Sequence, residues 1–146
     1  MSKVKRKLTT ILATDCVGFS KRMDENEELT LENLKACRSI IDPQIKEFGG
    51  RIFYTAGDSV IAEFESPVEC VNAAIGFQKA INDRNNTLSE ESQLDWRVGI
   101  HLDDVIIEGD NVYGNGVNIA ARLETACSPG QIPVSYTHLT LPTNSS

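Results

Sequence analysis

Apolar residues recur along this chain with two different periods, and the alternation between those periods outlines an α+β domain. Leu8 to Thr14 is rich in Thr and Ile and predicts a strand. It runs into Asp15-Cys16-Val17-Gly18-Phe19-Ser20, where Gly18 predicts a turn against a helix start. Between Glu28 and Phe48, Leu34, Cys37, Ile41, Ile45 and Phe48 recur at steps of three and four, which is one face of an amphipathic helix. Gly49-Gly50 stops that helix, and Pro43 is expected to kink or split it.

The next signals are punctuation. Arg51–Thr55 and Ser59–Phe64 read as strands joined by Gly57-Asp58, the composition of a tight β-hairpin. Ser66-Pro67-Val68-Glu69 then opens a helix, with Ser66 as cap, Pro67 at the first helical position and Glu69 completing a capping box. Cys70, Ala74, Phe77 and Ile81 form its apolar stripe, and Arg84-Asn85-Asn86 ends it. Leu94–Leu102 and Val105–Glu108 are expected as two strands joined through Asp103-Asp104. Asp110–Asn115 is expected as a loop, and Gly116–Ala126 as a short helix with Ala120 and Ala121 inward. Two strand–helix–strand halves on one mixed or antiparallel sheet, with helices packed on one face, predict a ferredoxin-like α+β fold of the βαβ-βαβ type.

Residues 131–146 break the pattern. This stretch has no Asp, Glu, Lys or Arg and is dominated by Ser, Thr and Pro, with neither strand alternation nor helical period. The expected organisation is therefore one domain over residues 1–130, followed by a disordered or non-native tail over 131–146 of the kind produced by translated read-through.

Composition narrows the function classes. At 146 residues the chain holds one domain with a core of useful size, so folding requires no disulfide or structural metal. A formal net charge of -7 argues against a nucleic-acid partner, which needs a basic face. It leaves room for a small nucleotide whose charge is met by bound cations and a few local donors. Cys16, Cys37, Cys70 and Cys127 are widely spaced without a Cys-x-x-Cys pair, which fits reduced thiols in a cytoplasmic protein better than a zinc site. No stretch approaches the apolar length of a membrane span, so no membrane contact is expected from this chain.

Four acidic residues, Asp15, Asp58, Asp103 and Asp104, fall near expected turns, where backbone capping is the ordinary role of an Asp. Asp15 and Asp58 stand out because one follows a strand and the other sits in the hairpin expected beside it. Two carboxylates at adjacent strand ends repel unless a cation lies between them, and such oxygen ligands suit Mg²⁺ or Mn²⁺ with positions left for phosphate oxygens. Gly18 allows close backbone approach, and the amides from Val17 to Ser20 open a helix, a place where phosphate can bind. Asn118 and Arg122, four apart, share a helix face that can hold a ribose oxygen and a phosphoryl group, or can simply be a solvated polar pair.

Four blocks carry a family resemblance: Ala13 to Ser20, Thr55-Ala56-Gly57-Asp58, Val98-Gly99-Ile100-His101, and Tyr113 to Glu124. In that order and spacing, across Lys7 to about Gly130, the chain resembles class III adenylate/guanylate cyclase catalytic domains, and their fold is the one this resemblance implies. It implies Asp15 and Asp58 as metal ligands for two Mg²⁺ or Mn²⁺ ions per site, with the Cys16 carbonyl adding a ligand. It also implies Val17, Gly18, Phe19 and Ser20 as a triphosphate cradle, Asn118 orienting the ribose and Arg122 stabilising charge on the α-phosphate. Tyr54 and Asn111 stand where adenylate cyclases commonly carry a Lys and an Asp that read the base, so the choice between ATP and GTP stays open. Family members work as head-to-tail dimers, one subunit giving the aspartates and the other the Asn–Arg helix. Their domain also continues past the position of Gly130. The resemblance thus implies a nucleotidyl cyclase acting on a purine nucleoside triphosphate in signal transduction, with an inactive cyclase-like dimerisation or regulatory module as the alternative. A diguanylate cyclase is disfavoured, because the hairpin reads Ala56-Gly57-Asp58-Ser59-Val60 rather than Gly-Gly-Asp-Glu-Phe.

Overall fold

In a computed structural model that describes residues 4–113, 120–121, 132 and 134–136, the chain forms a six-stranded sheet. In chain order the elements are β1 (Val4–Cys16), α1 (Phe19–Glu25), α2 (Glu27–Glu47), β2 (Arg51–Ala56), β3 (Ser59–Phe64), α3 (Pro67–Asn85), a short 3₁₀ turn (Glu90–Ser92), β4 (Trp96–Glu108), β5 (Asn111–Tyr113) and β6 (Val134–Tyr136). The strand order is β2-β3-β1-β4-β5, and β6 also pairs with β4. All neighbours are antiparallel except β4 and β6, which run parallel. The α+β sheet expected from the two strand–helix–strand halves is present.

The main core lies between the sheet and helices α2 and α3. Leu34, Cys37, Ile41 and Ile45 from α2 and Cys70, Ala73, Ala74, Phe77 and Ile81 from α3 are buried against Leu12, Val60, Ala62, Phe64, Trp96, Val98 and Ile100 of the sheet. Both helical stripes match the spacing read from the sequence. Arg84 near the end of α3 donates to Asn33 Oδ1 of α2 at 2.8 Å, which ties the two helices together. A smaller cluster on the other face contains Ile11, Ala13, Val112 and Ala120, with Phe53, Ile61 and Ala121 packed against it. Because side chains alternate along a strand, β1 feeds both clusters and is buried on both faces.

Local chemistry explains the element ends. Ser66 Oγ accepts from the Glu69 amide at 3.2 Å and Pro67 takes the first turn of α3. The Glu69 carboxylate accepts from Asn72 Nδ2 at 3.2 Å. At the end of α2, the Gly50 amide donates to Ile45 O and the Gly49 amide to Lys46 O, the paired bonds of a Schellman motif, with Gly49 at φ 83. Gly50 is also needed for space. A Cβ built there would lie 2.5 Å from Phe64 Cζ and 2.7 Å from Ile45 Cγ2, both in the core. Gly50→Ala is therefore expected to destabilise the fold by about 1–3 kcal/mol, read as a lower denaturation midpoint at unchanged m-value.

Several expectations are corrected. Pro43 does not split the helix: α2 is continuous from Glu27 to Glu47, and Ile41 and Ile45, buried on either side of the proline, hold both turns against the core. The helical segment instead divides earlier, at Asn26, whose side chain caps α2 by accepting from the Leu29 amide. Asp103-Asp104 is not a turn. β4 runs unbroken through it, with Asp103 opposite Thr9 and Asp104 opposite Leu8, because thirteen consecutive pairs with β1 outweigh the poor strand propensity of two aspartates. The expected loop after Asp110 contains β5, paired with the end of β4. Within 131–146, expected to carry no regular element, Val134–Tyr136 pairs with Ile100–Leu102 of β4. A strand of three residues is too short for alternation to register in a sequence.

Candidate active site

The site is set by how three strands end together. β1 runs through Asp15 and Cys16 rather than stopping before them, and Asp15 is directly opposite Arg97 on β4. On the other side, Thr14 is opposite Val60 of β3, so the β2–β3 hairpin turn comes level with the end of β1. That turn is Gly57-Asp58. Gly57 has φ 58 while Asp58 stays at negative φ, the sign pattern of a type II′ hairpin turn. Asp58 Oδ2 accepts the Cys16 amide at 2.9 Å, which pins the hairpin tip to the strand end. The two aspartates singled out from sequence are brought together here.

Asp15 is engaged by a residue that the sequence analysis did not single out. Arg97 Nε donates to Asp15 Oδ1 at 3.0 Å and Nη2 donates to Oδ2 at 3.0 Å, a two-pronged guanidinium–carboxylate pair. The side chains are 23% and 17% exposed, so the pair is well shielded from water. The Arg97 carbonyl also accepts from the Thr14 hydroxyl at 2.6 Å, which fixes the backbone of the pair.

Burial pushes the Asp58 carboxyl above the ordinary aspartate range. The amides of Cys16 and of Asp58 itself pull it back, and the charges of Asp15 and Arg97 act in opposite senses. The Cys16 thiol is raised to about 12, first by burial and then by Asp58, Cys37 and Asp15, so with no cation bound it stays protonated at neutral pH.

After Cys16 the chain turns through Gly18, at φ 65, into α1. No side chain caps this helix, and nothing lies within 4 Å of where a Gly18 Cβ would be, so the backbone at Gly18 is open to a ligand. The segment is anchored from behind. The Val17 amide donates to Asp95 O at 2.8 Å. Asn85, at the end of α3, donates to Leu94 O at 3.0 Å and to Asp95 Oδ1 at 3.3 Å, and Gln78 of α3 donates to Trp96 O at 2.8 Å. Side-chain amides on α3 thus hold the entry to β4, which holds the loop at the strand ends.

The other expected site residues are more dispersed. Asp103 and Asp104 pair with Thr9 and Leu8, half a strand away from Arg97, and do not join Asp15 and Asp58. Tyr54 on β2 is 51% exposed and Asn111 opens β5, also exposed. Their chain neighbours Phe53 and Val112 belong to the same small apolar cluster, so the two residues flank it. Asn118 and Arg122 lie outside the described residues; between them Ala120 and Ala121 are helical, with Ala120 buried as expected.

The donor set fits divalent cations of the magnesium type. Two carboxylates meet at the strand ends, and among the described residues no group of three His, Cys, Asp or Glu forms a cage of its own. Mg²⁺ is commonly held by one or two protein carboxylates, with water and substrate phosphates completing its sphere.

The chain matches the family described as adenylate and guanylate cyclase catalytic domain over residues 2–145. It belongs to that family. This cyclase domain is 37% identical over 133 residues to a protein named Putative adenylate cyclase 3 from Rhizobium meliloti (strain 1021), a match covering 90% of this chain and 23% of that protein. It is 28% identical over 132 residues to the serine/threonine-protein kinase pkn2 of Myxococcus xanthus, covering 90% of this chain and 16% of that one. The chain thus spans less than a quarter of either relative. Among solved structures, an adenylate/guanylate cyclase/hydrolase from Silicibacter pomeroyi superposes with a TM-score of 0.84 at 35% identity, covering 90% of this chain and 77% of that chain. The adenylyl cyclase CyaB from P. aeruginosa, at 24% identity, shares the fold with a TM-score of 0.78 over 90% of this chain and 78% of its own. Among the described residues of the cyclase domain no helix is long and apolar enough to cross a membrane.

Proposed function

We propose that this cyclase domain converts ATP, with GTP as the alternative substrate, to a 3′,5′-cyclic nucleotide and pyrophosphate in cytoplasmic signal transduction. The observation that carries the reading is the meeting of Asp15 and Asp58 at the ends of β1 and the β2–β3 hairpin, beside the open Gly18 turn. Asp15 and Asp58 would hold two Mg²⁺ or Mn²⁺ ions through their carboxylate oxygens, with the Cys16 carbonyl assisting. When bound, such ions lower the pKa of the ribose 3′-hydroxyl and neutralise the departing pyrophosphate.

The chain's own residues supply position and charge. Backbone amides from Gly18 to Ser20 would receive the triphosphate where Gly18 leaves room, with the Val17 amide, expected in the same cradle, held instead by Asp95 O. Tyr54 and Asn111 would meet the base, and an Asn side chain presents both a donor and an acceptor, so it can pair with either purine. Asn118 would orient the ribose. Arg122 would face the charge that develops on the α-phosphate, where a fixed cation favours the transition state over the ground state. With Asp15 and Asp58 on one subunit and Asn118 and Arg122 on the other, a head-to-tail homodimer would hold two equivalent sites.

The test is an assay on a protein that carries this domain. With Mn²⁺ and either ATP or GTP, we expect cyclic nucleotide and pyrophosphate in equal amounts, resolved by chromatography. Absence of product with both nucleotides, in a protein that still binds Mn²⁺ and dimerises, would favour a dimerisation module without turnover.

A further inference from the structure

We propose that Arg97 is a resident counter-ion of the metal site, competing with divalent cations for the Asp15 carboxylate. The inference rests on the reading of Asp15 as a metal ligand. The Arg97 guanidinium engages both Asp15 oxygens, at 3.0 Å each, so a cation drawing on either oxygen must share it with the fork. The Arg97 charge also reaches the Asp58 carboxyl, more weakly than the other groups that act on it. In a protein with no cation bound, that charge relieves the repulsion between two shielded carboxylates.

The geometry makes this a built arrangement. Asp15 and Arg97 are direct cross-strand partners in the long β1–β4 ladder, on the sheet face turned away from α2 and α3. The Thr14 hydroxyl bonds the Arg97 carbonyl, which adds a side-chain tie between β1 and the backbone that carries the guanidinium. Fork-shaped Arg–carboxylate pairs are directional and strong for their class, and this one is mostly shielded from water. Two consequences follow. Cation affinity is weaker than two bare carboxylates would give, and removing the guanidinium leaves an acidic pair that cation binding then stabilises.

The opposite role is also physically reasonable: Arg97 could be a positioning residue that aims Asp15 at the cation. The two roles predict changes of opposite sign in cation affinity, so affinity measured without nucleotide separates them and does not depend on turnover.

The experiment titrates Mn²⁺ into the 146-residue chain without nucleotide, reading free Mn²⁺ by electron paramagnetic resonance, for the wild type, Arg97→Met and Arg97→Lys. Loss of a shielded charge-assisted fork should tighten Mn²⁺ binding about tenfold or more in Arg97→Met, with Arg97→Lys between that variant and the wild type. Thermal melts give a second measure: added Mn²⁺ should raise the Tm of Arg97→Met more than that of the wild type, because ligand linkage scales with affinity. Equal or weaker binding in both variants would overturn the counter-ion role while leaving the metal site standing. If neither wild type nor variants bind Mn²⁺, and Asp15→Asn behaves as they do, the inference falls together with the metal-site reading beneath it.

Discussion

Replacing Asp58 by alanine in this domain is expected to lower cyclase turnover by about 10³ or more while the fold persists. Asp58 is one of the two carboxylates proposed to hold the cations, and loss of one well-placed electrostatic partner already costs about 10²–10³ in kcat. The alanine also leaves the Cys16 amide without its acceptor, so part of any loss could be structural. Asp58→Asn separates the two effects. Its carbonyl oxygen can still accept from the Cys16 amide, while its charge and most of its cation affinity are gone. Activity should fall in both variants, but only the alanine should unpin the hairpin tip.

The same residue predicts a pH signature in the metal-free protein. Burial raises the Asp58 carboxyl above its unfolded value, so the folded state holds that proton more tightly than the unfolded chain does. The stabilisation from this group is therefore full below the ordinary aspartate pKa and is lost as pH rises through the folded value. An asparagine never ionises and escapes that loss. In EDTA, Asp58→Asn should therefore gain stability relative to wild type as pH rises from the acid range toward neutrality, with the gap closing again at low pH. Urea melts across that range measure it. A gap of the same size at every pH, or an asparagine variant less stable at neutral pH, would contradict the burial of a charged carboxylate here.

What could be read from the sequence was what short segments determine. Ser66-Pro67 marked the start of α3 because a cap and a first-turn proline act within four residues. Gly57-Asp58 marked the hairpin because its first turn position needs a positive φ, which glycine takes without strain. Asp15 and Asp58 were found as a pair because each sits beside a local turn signal, and the expected fold placed those turns side by side. Arg97 was missed because its partner lies 82 residues away and the pairing depends on register. A signal did exist: Arg97 begins an apolar strand, and an isolated Arg among strand residues needs an anion. Asp103-Asp104 misled for the converse reason. Two aspartates resemble a turn when read alone, and only the full-length pairing with β1 keeps them in a strand. The proline in α2 was overridden in the same way, by core contacts on both sides of it.

Mixing two inactive variants of this domain should restore activity, and this second prediction tests how a site is assembled. In the proposed dimer, Asp58 acts from one subunit and Arg122 from the other. Asp58→Ala homodimers lack the carboxylate in both sites, and Arg122→Ala homodimers lack the arginine in both. A heterodimer of the two carries both defects in one site and neither in the second. If subunits exchange freely and pair at random, half of the dimers are mixed and each has one intact site of two, so activity should recover to about a quarter of wild type. That level is far above either parent, each expected to be down about 10²-fold or more. Size-exclusion chromatography at the assay concentration confirms that the variants still dimerise. Dimers that exchange subunits yet show no recovery would mean that both residues serve the same site from one chain. The shared-site arrangement would then be wrong, even if the chemistry at Asp15 and Asp58 is right.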